Sequence, residues 1–262
     1  MSISSQRLCL SAFAFLLLTA AARAQSAPAS TLLPDAPQPV SSSSDNSVRN
    51  VPLHILQDQV AVVTSPLHLR LHDLLWLAPL AAGTGAALAT DQHTMRDVIS
   101  SDPVRTQNII NVSNGLTGGI LVTPVLLYGV GLVKHDEHAR EAGFLSSEAA
   151  VDGLIVAEGL KLITFRERPY DDNARGLFYQ KSAGTNSSFP STHSVVTWAA
   201  AAALAEEYPN KWARVGLYTA ATGVSLTRVL GQQHFPSDVL VGSVAGWLVG
   251  HYVVHHRRHT AR

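Results

Sequence analysis

The chain predicts an all-α fold, a bundle of six helices. Three observations carry this. Apolar residues recur at helical spacing in six long segments, and no stretch between them alternates with the period of two that a half-buried strand needs. Pro209-Asn210 separates two of the segments and Pro236 suits the first turn of another. The composition, 46% hydrophobic and 15% charged in 262 residues, is apolar enough for one tightly packed domain that also touches a membrane.

In chain order, Arg7 gives a positive start, Leu8 to Ala22 an apolar core and Ala22-Arg23-Ala24 a small-x-small cleavage site, so residues 1–24 read as an export signal. The only cysteine, Cys9, falls inside it, which leaves the exported chain without disulfides or cysteine metal sites. Residues 25–53 are rich in Pro and Ser without apolar periodicity and read as a linker. A short amphipathic helix over His54–Val63 leads into a helical domain, residues 54–258, followed by a basic tail, 259–262. The six segments are Leu71–Thr90, Ile109–Val133, Phe144–Phe165, Ser194–Tyr208, Lys211–Leu230 and Ser237–His255.

Leu74–Thr90 and Gly115–Val133 are uncharged and near the length a bilayer requires. The third segment carries Glu148, Asp152 and Glu158, and the fourth is an alanine run ending in Glu206-Glu207, which suits a soluble or partly exposed bundle. The tail His255-His256-Arg257-Arg258-His259 belongs on the cytoplasmic side of a spanning protein. Six spans would then put the residues before Leu71 in the cytoplasm, whereas a cleaved signal puts them outside. The conflict favours an exported domain lying against the membrane. A formal net charge of zero gives no basic excess of the kind that nucleic-acid binding needs.

Three polar clusters sit at helix ends. In the first, Lys161 and Arg168-Pro169, the two cations lie two turns apart, on one face if the helix continues to Pro169. In the second, Pro190-Ser191-Thr192-His193 opens the alanine-rich helix. Its N-terminal N–H groups and positive dipole end suit a phosphate, two hydroxyls add donors, and His193 stands where a general acid is useful. In the third, Thr227-Arg228 closes one helix and His234 and Asp238 begin the next. The four-residue spacing lets the carboxylate hold one imidazole nitrogen and leave the other to attack phosphorus. Each cluster alone is explained by ordinary capping or a solvated basic end. Together they supply an anion clamp, a nucleophile with its orienting acid, and a proton donor. His135-Asp136-Glu137-His138 and the tail histidines read as a solvated turn and a basic tail, so no metal site is expected.

These clusters resemble the type 2 phosphatidic acid phosphatase and vanadium haloperoxidase superfamily, whose pattern is K-x6-R-P, then P-S-G-H, then S-R-x5-H-x3-D. Lys161, Arg168 and Pro169 match the first block. Pro190, Ser191 and His193 match the second with Thr192 in place of glycine, and Arg228, His234 and Asp238 match the third with Thr227 in place of serine. The resemblance covers roughly residues 144–250. It implies a six-helix bundle and a phosphatase that needs no metal or other cofactor. His234, oriented by Asp238, attacks the phosphomonoester and His193 protonates the leaving alcohol. Lys161, Arg168, Ser191, Thr192 and Arg228 hold the phosphoryl oxygens. The implied substrate is a lipid phosphate, lipid diphosphate or small phosphomonoester, met at the cell envelope with the site facing the periplasm. A vanadium-dependent haloperoxidase and a non-catalytic phosphate-binding envelope protein are the alternatives.

Overall fold

The computed structural model describes residues 48–260 except Ser101; the expected export signal and most of the Pro/Ser-rich linker lie outside the described residues. Among the described residues there is no strand. Seven α-helices follow one another: α1 (Val51–Thr64), α2 (Leu74–Val98), α3 (Pro103–Lys134), α4 (Glu137–Thr164), α5 (Thr192–Glu207), α6 (Lys211–Leu230) and α7 (Pro236–Thr260). The count is seven rather than six because the lead-in helix belongs to the bundle. It starts at Val51, inside the expected linker, and both its buried residues, His54 and Asp58, face the other helices. The expected tail is also helical as far as Thr260.

Local chemistry sets several ends. Asp102 caps α3 by accepting from the N–H groups of Val104 and Arg105, with Pro103 in the first turn. The polar run His135–His138 resolves into caps. His135 ends α3 in the left-handed region, and the Asp136 side chain accepts from Ala139 to start α4.

The core is built around α5. Its alanines from Ala199 to Ala203, with Leu204 and Ala205, are all buried. Alanine leaves little bulk, so the helix facing it comes very close. On α7, Gly242, Gly246 and Gly250 form a stripe at four-residue spacing on one face. A Cβ at Gly246 would lie 2.2 Å from the Val195 carbonyl oxygen, and one at Gly250 2.3 Å from that of Ala199. Two helices with flat, small-residue faces thus meet almost backbone to backbone.

Successive long helices alternate in direction. Asp91 near the end of α2 meets Ser237 at the start of α7, and Gln232 after α6 meets Thr106 at the start of α3. The ends of α2, α4 and α6 and the starts of α3, α5 and α7 therefore share one end of the bundle. The outside is apolar along much of its length, with Leu75, Trp76, Val125, Leu126, Leu226 and Trp247 exposed. Three helices are long and apolar enough to cross a membrane: Leu71–Val98, Pro103–Lys134 and Pro236–Arg258.

Candidate active site

All three clusters lie at that shared end. Lys161 occupies the last turn of α4, and the helix stops at Phe165, which adopts φ 42° and donates its N–H to the Lys161 carbonyl at 3.2 Å. Arg168 is therefore not on α4, and the shared helix face expected for Lys161 and Arg168 does not exist. The chain has already turned, well before Pro169. Arg168 is placed instead by carbonyls from two other segments, its Nε donating to Asn186 and its Nη1 to Gln233, each at 3.0 Å. Arg228, in the last turn of α6, reaches Asn114 on α3 at 3.5 Å through Nη1, while its buried Nε has no hydrogen-bond partner.

Lys161, Arg168 and Arg228 are all buried. Burial, and then the neighbouring arginines, hold the Lys161 ammonium below its ordinary value. Arg228 is pushed down to about 10 by burial and by Arg168. The carboxylate that meets this cluster is Glu158, which accepts from Lys161 Nζ at 3.1 Å and from Thr192 Oγ1 at 2.7 Å. Burial works against its charge. The bonds from Thr192 and Lys161, with the charges of Lys161 and Arg168, outweigh it and hold Glu158 below the usual range. Three cations against one carboxylate leave two positive charges in excess, the complement of a phosphate dianion.

Ser191 caps α5, accepting from the Ser194 N–H at 3.4 Å and from the Ser194 hydroxyl at 3.1 Å. Ser191 thus only accepts and keeps its own O–H as a donor, whereas the Thr192 hydroxyl, expected to meet the anion, donates to Glu158. What α5 offers an anion is its first-turn N–H groups and dipole, with the Ser191 O–H beside them. The hydroxyl of Thr227 is likewise turned back into α6, onto the carbonyls of Gly223 and Val224.

His193 follows in the first turn of α5. Burial, then the charges of Arg228, His234, Lys161 and Arg168, push its imidazole down to about 3. His234 is 1% exposed and is held well below its ordinary value by burial and by Arg168, Arg228 and Lys161. Both rings are neutral at pH 7. The nearest acceptor to His234 Nδ1 is the Ser188 carbonyl at 2.7 Å, and Asp238 Oδ2 is farther, at 3.6 Å. A ring nitrogen that close to a carbonyl must carry the proton, so Nε2 is left with its lone pair. Ser188 is itself fixed, its N–H donating to the Arg166 carbonyl and its hydroxyl to the Glu167 carbonyl.

Asp238 is occupied mainly by a residue the sequence reading passed over. Its Oδ1 lies 2.5 Å from Arg166 Nη1, and its Oδ2 accepts from the Phe235 N–H at 2.8 Å. Arg166, 2% exposed, also reaches Asp91 Oδ2 at 2.7 Å, Ser237 Oγ at 2.7 Å and the Gly176 carbonyl at 3.1 Å. Its guanidinium lies over the rings of Phe235 and Phe178, 4.2 and 4.8 Å from the centroids. Gly176, at φ 59°, makes room: a Cβ there would fall 2.6 Å from the Phe235 ring. Asp91 completes the network by accepting from both the N–H and the hydroxyl of Ser237, at the N-terminus of α7. Two signals for this network were present in the sequence. A second arginine stands two residues before Arg168, and Asp91 is the first charge after an uncharged stretch.

Comparison with known proteins falls on the same part of the chain. The model of the PAP2 superfamily matches residues 143–261, from Gly143 in α4 to beyond the end of α7. A 65-residue stretch is 37% identical to a lipid A 1-phosphatase of Porphyromonas gingivalis; it spans 24% of this chain and 15% of that protein. No solved structure matches the chain. The matched residues, 143–261, hold all three clusters.

Proposed function

We propose that the chain is a phosphatase acting on lipid phosphates, through a phosphohistidine formed on His234 and without a metal in the chemical step. The observation that carries this reading is the buried trio Lys161, Arg168 and Arg228, with the Arg228 Nε left without an acceptor beside two neutral histidines. Unpaired buried donors are costly, and the oxygens of a phosphoryl group are the acceptors they suit.

The lone pair of His234 Nε2 attacks phosphorus while the bond from phosphorus to the alcohol oxygen breaks. Ser188, through its carbonyl, and Asp238 stabilise the positive charge that the ring gains. His193 gives a proton to the departing oxygen. It then takes one from the water that cleaves the phosphorus–nitrogen bond and releases phosphate. Lys161, Arg168, Arg228 and the first-turn N–H groups of α5 hold charge that is spread over the phosphoryl oxygens. His193 is neutral in the protein alone. A bound dianion neutralises the surrounding cations and raises its proton affinity, which is what a general acid at that position needs.

A lipid phosphate is favoured over a soluble ester by the exposed apolar helices beside the site and by the similarity to a lipid A 1-phosphatase. With the basic end of α7 on the cytoplasmic side, the site at the opposite end of the bundle opens toward the periplasm. The antiparallel order then puts the start of α2 on the tail side.

The test is phosphate release from a lipid phosphate and from a generic phosphomonoester by protein in detergent with EDTA, with and without vanadate, beside His234→Ala. Vanadate-sensitive release that survives EDTA and disappears in the variant is expected. Vanadate-dependent oxidation of halide would replace this reading with a haloperoxidase. Phosphate binding by folded protein with no turnover of either ester would replace it with a binding protein.

A further inference from the structure

A second set of buried ionisable groups lies away from the site, roughly 13 Å along α4 from Lys161 at 1.5 Å per residue. Asp58 of α1 and Glu148 and Asp152 of α4 are 1%, 3% and 1% exposed, and one oxygen from each lies within 4.8 Å of the others. One oxygen of each is accounted for. Asp58 Oδ2 and Glu148 Oε1 take Arg257 Nη2 at 2.5 and 2.8 Å, and Asp152 Oδ1 accepts from Gln59 Nε2 at 3.0 Å. The other oxygens, Asp58 Oδ1, Glu148 Oε2 and Asp152 Oδ2, are buried with no hydrogen-bond partner. The same holds for a group that is not acidic. His54 of α1 is 7% exposed, and its Nδ1 sits 3.3 Å from Glu148 Oε1 without forming a hydrogen bond.

We propose that Asp58, Glu148 and Asp152, with the partnerless His54 beside Glu148, form a buried site for one divalent cation that fastens α1 to α4. Three carboxylates face one guanidinium, that of Arg257, so carboxylate groups outnumber the arginine that meets them in a place where unpaired charge is strongly disfavoured. A divalent ion supplies the missing charge and gives the three carboxylates one shared partner, with the His54 imidazole against Glu148 at its edge. Three buried carboxylates in so small a space, where there is little room for the roughly six to eight oxygens calcium takes, suit manganese. The competing occupant is a proton, since burial and the neighbouring Asp58 and Glu148 push Asp152 up to about 7. One proton, however, satisfies one oxygen pair and leaves the remaining oxygen and His54 Nδ1 without partners. The sequence hides this site because α1 is far from α4 along the chain. The two buried residues of α1 are the ligand-type residues His54 and Asp58, so this helix is held by polar groups where an apolar stripe would be ordinary. The ion would be structural and would take no part in phosphate chemistry.

The test uses the full chain in detergent. Bound metal is measured by elemental mass spectrometry as purified, and Mn²⁺ is then titrated into chelator-treated protein, with free Mn²⁺ read by its paramagnetic resonance signal and stability by thermal melting. About one ion per chain and a melting temperature raised by Mn²⁺ are expected. Asp152→Asn should weaken Mn²⁺ binding by at least about 100-fold, since even residues that only orient a ligand cost about 10–100-fold. His54→Gln, a milder change on the separate helix, should weaken it about tenfold and keeps the test valid if Asp152→Asn misfolds. A cluster of Glu206, His251 and His255, more open to solvent, is the control. Binding retained in Asp152→Asn and His54→Gln but lost in His255→Ala would assign the ion there and overturn the proposal. It would also be overturned if wild-type protein carried no metal and did not respond to Mn²⁺, Zn²⁺ or Ca²⁺, leaving a shared proton as the occupant.

Discussion

Replacing Asp91 by asparagine tests whether the buried network behind Asp238 is an ionic clamp. Asp91 accepts three bonds, from Arg166 Nη2 and from the N–H and hydroxyl of Ser237, and it is 2% exposed. Asparagine keeps the shape and one acceptor oxygen for Ser237. Its NH2 group, however, then meets the Arg166 guanidinium, donor against donor. Losing one charge-assisted bond and leaving Arg166 with only Asp238 should cost about 3 kcal/mol, since bonds to charged groups contribute roughly 1.5–3 kcal/mol and a broken buried pair roughly 3–5. In a domain of this size that is a fall in melting temperature of roughly 6–12 °C. Arg166 still holds Asp238 at 2.5 Å, so kcat at 25 °C should stay within about threefold, ~0.7 kcal/mol of barrier. Arg166→Lys is the contrast. An ammonium cannot bridge Asp91 and Asp238 with a planar fork, so both melting temperature and kcat should fall. Tryptophan fluorescence melts in detergent, with initial rates measured well below the transition, read both quantities. A melting temperature for Asp91→Asn within about 2 °C of wild type, the range of an ordinary surface change, would refute the clamp.

Glu158→Gln removes the carboxylate that meets Lys161 and Thr192 but keeps an acceptor for both. Half-exposed, its charge should count for about 1 kcal/mol after screening, so inhibition by inorganic phosphate should tighten roughly fivefold; unchanged inhibition would place Glu158 outside the anion's field. For His193, the folded value of about 3 lies below the unfolded 6.5. Its contribution to stability is therefore complete above pH 6.5 and is lost as pH falls toward 3, and an anion that raises its proton affinity must bind more tightly as pH falls through that window. Sulfate, which does not itself titrate there, should take up a proton on binding at pH 5–6, seen by calorimetry in buffers of different ionisation enthalpy. Heats independent of buffer, or uptake unchanged in His193→Gln, would count against His193 as the proton donor.

The sequence alone determined the helices and the residues at their ends. Periodicity marks the six long segments because each apolar side chain every three or four residues falls on one face, and that relation is local. The small-residue face of α5 was legible as an alanine run, whereas the glycines four apart on α7 take on meaning only with α5 packed against them. The order Lys161, Arg168, Ser191, His193, Arg228, His234, Asp238 was legible for the same reason, since each block is a few residues long. Tertiary structure decided who meets whom. His234 and Asp238 are four apart, yet the imidazole takes the Ser188 carbonyl, which is 46 residues away along the chain. Asp238 is claimed by Arg166, whose second carboxylate, Asp91, lies 75 residues away. Arg168 leaves the helix that spacing assigned to it because Phe165 turns the chain first, and α1 joins the bundle through Asp58, 199 residues from Arg257. Spacing encodes contacts along one helix. A buried charge instead finds its partners where packing removes water from both at once, and that pairing exists only after the helices have come together.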